Sequence, residues 1–517
     1  MTDARIPFAR YPGLSPLFLE LLRGGSELYP DPPTPAAVEA RARKLLGTKS
    51  RVPPAAFRSR SDEARSAADA MAAGRAVASV AGHQVGLFTG PLYTLTKAFD
   101  TQRVAKQIAA RGVPAAPVFW ALTDDHDLEE IARTSHPGVE GPETFVLEGA
   151  DRGNRRPVGG LTVPEKAREL LAAFREGAKA PDAAEVLEPF VRRYAPGATY
   201  ADAFIETLLD LAGPGPLLVL DPSHESLRPA MAEFFTQAVE RRGKIEETLA
   251  QAAARLERSG RPVPVPHRPG VFPFFLVENG ERRRVGDPLE ALAKVRAGAA
   301  WPSTDVLTRP ILKSFLMPTA AAILGPAEIA YHAQSLPLFP IFGVEPPVLL
   351  PRSHLVLVGP AERRAAEALG VSPADLLAPP PPAATPAAEA DEVVRIGHAL
   401  DGQLSALAAR LQALDPSLPG ALDTTRQKAA FPLAQLAERI RKAVERKDTT
   451  TMTRRQRLAT MLTPAGTTAE RLYPPLVPML AFGRDALARI REAADGSTES
   501  AAVVNLGAAA KGEDDAR

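Results

Sequence analysis

The chain has 517 residues, 45% hydrophobic and 24% charged, which is long enough for several structural units with ordinary globular cores. Lys and Arg number 62 against 61 Asp and Glu, for a net charge of +1. That balance argues against a general nucleic-acid binder, whose affinity needs an excess of cations matched to phosphates. Cysteine is absent, which excludes disulfides, thiolate zinc sites, iron–sulfur clusters and a cysteine nucleophile.

The start, Met1-Thr-Asp-Ala-Arg-Ile-Pro-Phe8, lacks the basic-then-apolar pattern of a signal peptide. No run approaches the roughly 20 apolar residues of a membrane helix, so the expectation is a soluble cytoplasmic protein with no membrane partner. Arg75 to Ala81 is a short apolar run, expected as a buried strand, and it leads into the glycine-punctuated segment Gly82 to Pro91. A helix is expected to begin near Pro91, because proline suits the first turn and Thr89 or Gly90 can cap it. Leu92, Leu95, Phe99 and Ile108 give it an apolar face ending near Gly112. Ala115 to Leu122 is the next expected strand, followed by Thr123-Asp-Asp-His-Asp127. Strand, helix and strand make a βαβ unit and so a parallel sheet.

Residues 135–215 are more polar, with turn-rich pieces and then helices. Leu217 to Leu220 is a further core strand, with a long helix after it. Val271 to Val277 and Arg282 to Val285, separated by Glu278-Asn-Gly280, give a hairpin signal. Core-like sequence returns from Val306 to Val358, including a strand from Pro346 towards Arg352. After the linker-like run Pro379 to Pro382, apolar residues recur at Ile396, Leu400, Leu404, Leu407, Leu411 and Leu414, then at Leu433, Leu436, Ile440 and Val444. That spacing predicts an antiparallel helical hairpin with a coiled-coil seam. A helix over Val477 to Ile490 is expected to return to the main body.

Three constellations could carry chemistry. In the first, Gly82, His83, Gln84, Gly86, Thr89, Gly90 and Tyr93 sit where a strand end meets a helix start, with Lys97 further into the helix. Unpaired N–H groups there favour an anion, although the glycine spacing fits neither a dinucleotide fingerprint nor a Walker loop. A purely structural turn is the alternative. In the second, Asp124, Asp125, His126 and Asp127 follow a strand. They could tune an imidazole for proton transfer, hold a cation, or form a solvated loop with a helix cap. The third is Arg309-Pro-Ile-Leu-Lys-Ser-Phe-Leu-Met-Pro-Thr-Ala320 followed by Gly325 to Gln334; there Gly325 and Pro326 open a helix on which Glu328, Tyr331 and His332 share one face, with Gln334 offset, and a solvated stripe would look the same.

Taken together these segments resemble the BshC family, the cysteine-adding enzymes of bacillithiol synthesis. That family's Gly-Gln-Gln-x-Gly-Leu-x-x-Gly-Pro-Leu-Tyr pattern is matched by Gly82 to Tyr93, and its Phe-Trp and Glu-Asp-His-Asp pattern by Phe119-Trp120 and Asp124 to Asp127. Arg309-Pro310, Met317-Pro-Thr319, Gly325 to Gln334 and Glu470-Arg-Leu-Tyr-Pro-Pro475 match in the same order. His83 stands where the family has glutamine, and Asp124 where it has glutamate. The resemblance implies an α/β fold whose Rossmann-like parallel-sheet core is similar to class I aminoacyl-tRNA synthetases, with connective insertions and a coiled-coil arm that supports a homodimer.

The division implied is a core in two halves, residues 1–134 and 305–378, with a helical and mixed insertion at 135–215. A core strand and long helix follow at 216–260, and a small hairpin-containing insertion at 261–304. Then come a linker at 379–386, the arm at 387–465, a returning helix at 466–495 and a disordered tail at 496–517.

The implied reaction joins L-cysteine to glucosaminyl malate through an amide, with ATP the expected activator and no metal expected. In the implied site, Gly86 to Gly90 would bind an anionic group positioned by His83 and Gln84. Asp125 and His126 would orient or deprotonate the amine, and Glu328, Tyr331 and Gln334 would line the opposite wall. Another amino-acid ligase or nucleotidyl transferase on this scaffold, or a non-enzymatic dimeric scaffold, are the competing readings.

Overall fold

A computed structural model describes residues 4–138, 141–147, 155–370, 377, 388–447, 458 and 462–507. The chain divides into two compact units, Met1–Pro360 with Thr460–Arg517, and Ala361–Ala459.

In the first unit the strands in chain order are β1 (Arg5–Pro7), β2 (Phe57–Arg58), β3 (Val77–Gln84), β4 (Ala115–Leu122), β5 (Arg133–Pro137), β6 (Pro142–Val146), β7 (Leu218–Leu220), β8 (Phe274–Glu278), β9 (Glu281–Arg284), β10 (Ala300–Thr304), β11 (Thr319–Leu324), β12 (Val348–Pro351), β13 (Leu355–Val358) and β14 (Ser500–Asn505). Six form the central sheet in the order β12-β11-β3-β4-β7-β2. Its pairs are parallel except β2 with β7, so the sheet is mixed, with an antiparallel edge. Helices cover both faces, as a parallel sheet requires. Val77, Ala81, Phe119, Ala121 and Val219 belong to one buried cluster with Leu95 and Phe99 of the Leu92–Ala109 helix. Ala78, Val80, Trp120, Leu218 and Leu220 belong to the other, with Phe234 and Phe315. Burying each large side chain contributes about 1.5–3 kcal/mol, so this two-sided packing anchors the carboxyl edge of the sheet.

The strand expected to end at Ala81 runs on to Gln84, paired residue for residue with β4 from Val77↔Ala115 to Gln84↔Leu122. His83 and Gln84 therefore sit on a strand end and not in the following loop. The expected hairpin forms between β8 and β9, and β10 joins on the far side of β8. Asn279 and Gly280 have φ values of 51° and 79°, the left-handed pair that a tight Asn-Gly hairpin turn demands.

Two expectations are corrected in the C-terminal part of this unit. The segment placed in a disordered tail contains β14, the central strand of a second sheet, antiparallel to β1 and parallel to β13. Its backbone is satisfied by two segments far along the chain, at Arg5–Pro7 and Leu355–Val358, which no local pattern reveals. Residues 508–517 lie outside those described. The single returning helix is two, Leu476–Phe482 and Asp485–Ala493, broken where Gly483 adopts φ 79°.

The second unit holds Ala388–Ser405 and Ala408–Leu414, packed against Leu418–Lys447. Asp401 and Arg426 pair across the hairpin at 2.7 Å. Its buried contacts centre on Ala390 and Ala437, with Val393, Val394 and Ile440 around them. Of the expected seam, Ile396, Leu400, Leu407, Leu414 and Leu436 are exposed, so part of that stripe is not the intramolecular seam. The 379–386 linker lies outside the described residues, as does the side chain of Val444.

Candidate active site

Past the carboxyl ends of β3, β4 and β11 opens a cavity of about 1150 Å³. All three constellations reach it: Gly82, His83, Gln84, Tyr93 and Lys97 from the first, Asp125, His126 and Asp127 from the second, and Gly325, Glu328 and Tyr331 from the third. A ligand site at this edge is what an open α/β sheet offers, because the strand ends leave loops free to diverge.

At the end of β3, His83 is fixed from both sides. Its Nδ1 lies 3.0 Å from the Gln84 carbonyl oxygen and its Nε2 lies 2.9 Å from the Tyr93 hydroxyl. A carbonyl only accepts, so Nδ1 carries the hydrogen and Nε2 accepts from Tyr93. Burial, reinforced by the Lys97 charge, pushes the imidazole pKa down to about 3. His83 is thus a neutral wall residue. Lys97 is buried and donates to Gly82 O at 2.9 Å and to Glu328 Oε2 at 2.5 Å. Glu328 also accepts from Gly325 N at 2.7 Å, reaching back from the third helical position to the N-cap amide at the start of the Pro326–Ser335 helix. Burial opposes ionisation of Glu328, but Lys97 and the Gly325 amide outweigh it and hold its pKa below the usual range.

The second constellation is organised by Arg282 on β9, a residue no motif singled out. Its Nη1 donates to Asp125 Oδ1 at 3.1 Å and to His126 Nδ1 at 2.6 Å, Nε donates to Ser303 Oγ at 3.0 Å, and Nη2 donates to Thr304 O at 2.9 Å. Its guanidinium lies 3.7 Å from the Phe275 ring centroid. His126 Nδ1 is also 3.6 Å from Asp125 Oδ1, but the guanidinium is closer and offers only hydrogens, which places the imidazole hydrogen on Nε2. Burial raises the Asp125 pKa, but the charges of Arg309 and Arg282 and the backbone N–H of His126, which donates to Oδ1 at 2.8 Å, overcome it and hold the carboxyl well below the usual range. Asp125 is therefore a weakly basic acceptor suited to orienting a donor, and His126 presents an N–H. The expectation that one of them removes a proton gains no support from this geometry.

Five expected residues lie off the cavity wall. Gly86, Thr89 and Gly90 belong to a buried turn closed internally. Tyr194 Oη accepts from Thr89 N at 2.9 Å and donates to Gly86 O at 3.3 Å, while Gly90 N donates to Leu87 O at 2.9 Å. With these amides already paired, the turn is no anion cradle. Tyr194→Phe is expected to lower unfolding free energy by about 1–3 kcal/mol through unmet buried polar groups, measurable by urea denaturation. Asp124 is buried, accepting from Ser303 Oγ at 2.6 Å, and so stands behind Arg282. Gln334 clamps Val265 at both ends, accepting from its N at 2.9 Å and donating to its O at 2.8 Å.

No sequence reading gave a site role to most of the cavity's cations, Arg155, Arg282, Arg284, Arg309, Lys313, Arg352 and Arg471, although Arg309, Lys313 and Arg471 stand inside the motif segments. One signal was available. On a hairpin strand of period two, Arg282 and Arg284 share a face. Among the described residues no group of three or more His, Asp or Glu is placed to hold a metal ion, and no helix is long and apolar enough to cross a membrane.

A cation-lined cavity at the carboxyl edge of a mostly parallel sheet defines a Rossmann-like α/β enzyme. The chain belongs to the BshC family of bacillithiol biosynthesis: the family's N-terminal Rossmann-like domain matches residues 54–353, and its C-terminal coiled-coil domain matches residues 392–506. A protein of Solibacter usitatus is 28% identical over 80% of this chain and 82% of its own length. One of Heliobacterium modesticaldum is 32% identical over 57% of each chain. One of Symbiobacterium thermophilum is 27% identical over 80% of this chain and 81% of its own. All three are named "Putative cysteine ligase BshC", and the chain is accordingly an enzyme of the ligase type.

Proposed function

We propose that this enzyme joins the carboxyl of L-cysteine to the amine of glucosaminyl malate, the last step of bacillithiol synthesis, in the cytoplasm. The observation that carries this reading is the convergence of three separate motifs on one cavity rich in arginine and lysine. A malyl sugar brings two carboxylates, and Arg309, Arg284, Arg155 and Arg471 offer the fixed donors that suit them. Asp125 and Asp127 supply negative charge on the same wall, suited to an ammonium or a sugar hydroxyl.

Amide formation from a free carboxylate in water lacks a leaving group, so an activated carboxyl is needed. ATP would supply that activation, and the same cations suit a polyphosphate. The exposed apolar residues Ile396, Leu400, Leu407 and Leu414 on the second unit, three of them seven residues apart, support a homodimer formed through the arm. The synthetase-like scaffold implied by the family patterns accords with a sheet-edge site.

The test incubates the protein with glucosaminyl malate, cysteine and ATP and follows the conjugate by mass spectrometry. A product that requires all three is the expected result. A product with a different amino acid in place of cysteine would favour another ligase, and no product with any amino acid would sink the reading.

A further inference from the structure

The cavity contains two lysines, and they are held differently. Lys97 is committed to Glu328 and to the Gly82 carbonyl. Lys313, on the Arg309–Leu316 helix, lines the same cavity, and among the described residues its amine has no carboxylate in ion-pair contact and no hydrogen-bond partner. Its Nζ rests against the strand end: a Cβ built on Gly82 would lie 3.2 Å from it and 2.8 Å from Trp120 O. Gly82 thus leaves the space into which the amine projects, and the Trp120 ring lies 5.6 Å away.

Resting on the ligase reading above, we propose that Lys313 accepts the proton from the acceptor substrate's ammonium before that nitrogen attacks the activated carboxyl. The step is balanced. The substrate R–NH3+ gives one proton to the neutral Lys313 amine, leaving R–NH2 with a free electron pair and Lys313 as ammonium, which returns the proton to water at the cavity mouth. Asp305, whose carboxyl pKa burial pushes up, also lines the cavity, but it already accepts from the Leu307 and Thr308 amides and the Thr308 hydroxyl. Asp125 is held ionised by cations, His83 is neutral with both nitrogens engaged, and His126 Nδ1 is occupied by Arg282. The groups around Lys313 are Arg309 one turn earlier, Lys97 on the Leu92–Ala109 helix, Glu328 and His332 on the Pro326–Ser335 helix, and Asp124 after β4. Burial acts most strongly and, with Arg309 and Lys97, outweighs Glu328 and Asp124 and pushes the amine down to about 7.

Two measurements test this. Lys313→Met is expected to lose about 10²–10⁴-fold in kcat with a smaller change in KM and unchanged circular dichroism. Its activity should be partly restored by added small primary amines. Lys313→Arg, which is permanently protonated and so cannot accept a proton, should not recover. Separately, trace acetylation of the wild-type protein at neutral pH, mapped by mass spectrometry, should modify Lys313 faster than the exposed Lys49. Labelling no faster than Lys49 overturns the proposal by itself, whatever the substrate. So does Lys313→Met with kcat within threefold of wild type, or Lys313→Arg with near-normal kcat. A wild-type protein that makes no amide would defeat the substrate assignment, while the labelling would still report whether a neutral amine stands in the cavity.

Discussion

Arg282→Met is expected to lower the unfolding free energy by about 3–5 kcal/mol, the range for removing one partner of a buried ion pair, and to abolish measurable ligase activity. The side chain is 2% exposed and offers its donors to Asp125, His126, Ser303 and Thr304. Methionine fills much of the volume but donates nothing. Asp125 would keep Arg309 at 3.6 Å as its nearest cation, and the Thr304 carbonyl would keep only the longer bond from Arg309 Nη2 at 3.5 Å. Arg282→Lys should fail almost as completely, because one ammonium cannot reach acceptors spread around a planar fork. Urea denaturation measures the first effect and steady-state turnover the second. Stability within 1 kcal/mol of wild type, with activity retained, would mean that Arg282 does not organise the site.

Glu470→Gln is the second large effect. Glu470 is fully buried and accepts from Arg352 at 2.7 Å, from Tyr11 Oη at 2.9 Å and from Leu355 N at 2.9 Å, with His354 Nδ1 3.3 Å away. Burial favours its neutral form, but the Arg352 charge and hydrogen bond, with the His354 ring close by, hold its pKa far below 4.5. Glutamine keeps the shape, removes the charge and turns an amide N–H2 towards groups that are themselves donors. A loss of about 3–5 kcal/mol is expected. Because Arg352 lines the cavity and lies 4.6 Å from the Tyr93 ring centroid, turnover should fall with it. The pH dependence follows from linkage. A carboxyl whose native pKa is depressed binds more protons when unfolded, so its stabilisation is complete above 4.5 and is lost as pH falls towards the lower native value. Wild-type stability should therefore decline in acid more steeply than that of Glu470→Gln, and parallel declines would contradict the argument.

The limits of sequence reasoning are visible in particular residues. Ala115–Leu122 is legible because a strand buried on both faces reads as an unbroken apolar run, and the Asn279-Gly280 turn because few residues tolerate two successive positive φ values. His83 and Gln84 were misplaced into the loop because polar side chains look like loop, whereas the β4 ladder pulls two more residues into the sheet. The Gly86–Gly90 segment was taken for an anion cradle because free amides are a local expectation. Their actual partner, Tyr194, is more than a hundred residues away. Lys313 carries no local mark of how its amine is held, and Arg282 only the face it shares with Arg284 on a strand of period two.

What the sequence determined by itself is most of the sheet core's elements and the identity of the polar groups at their ends, since periodicity, caps and turns are properties of neighbouring residues. What the tertiary structure alone decided is which of those groups meet. Pairing and burial set whether an arginine is a solvated charge or the hub of a site, and whether a lysine is bound to a carboxylate or left facing the cavity. Desolvation and Coulomb energies depend on distances through space, and those are fixed only when the chain has folded.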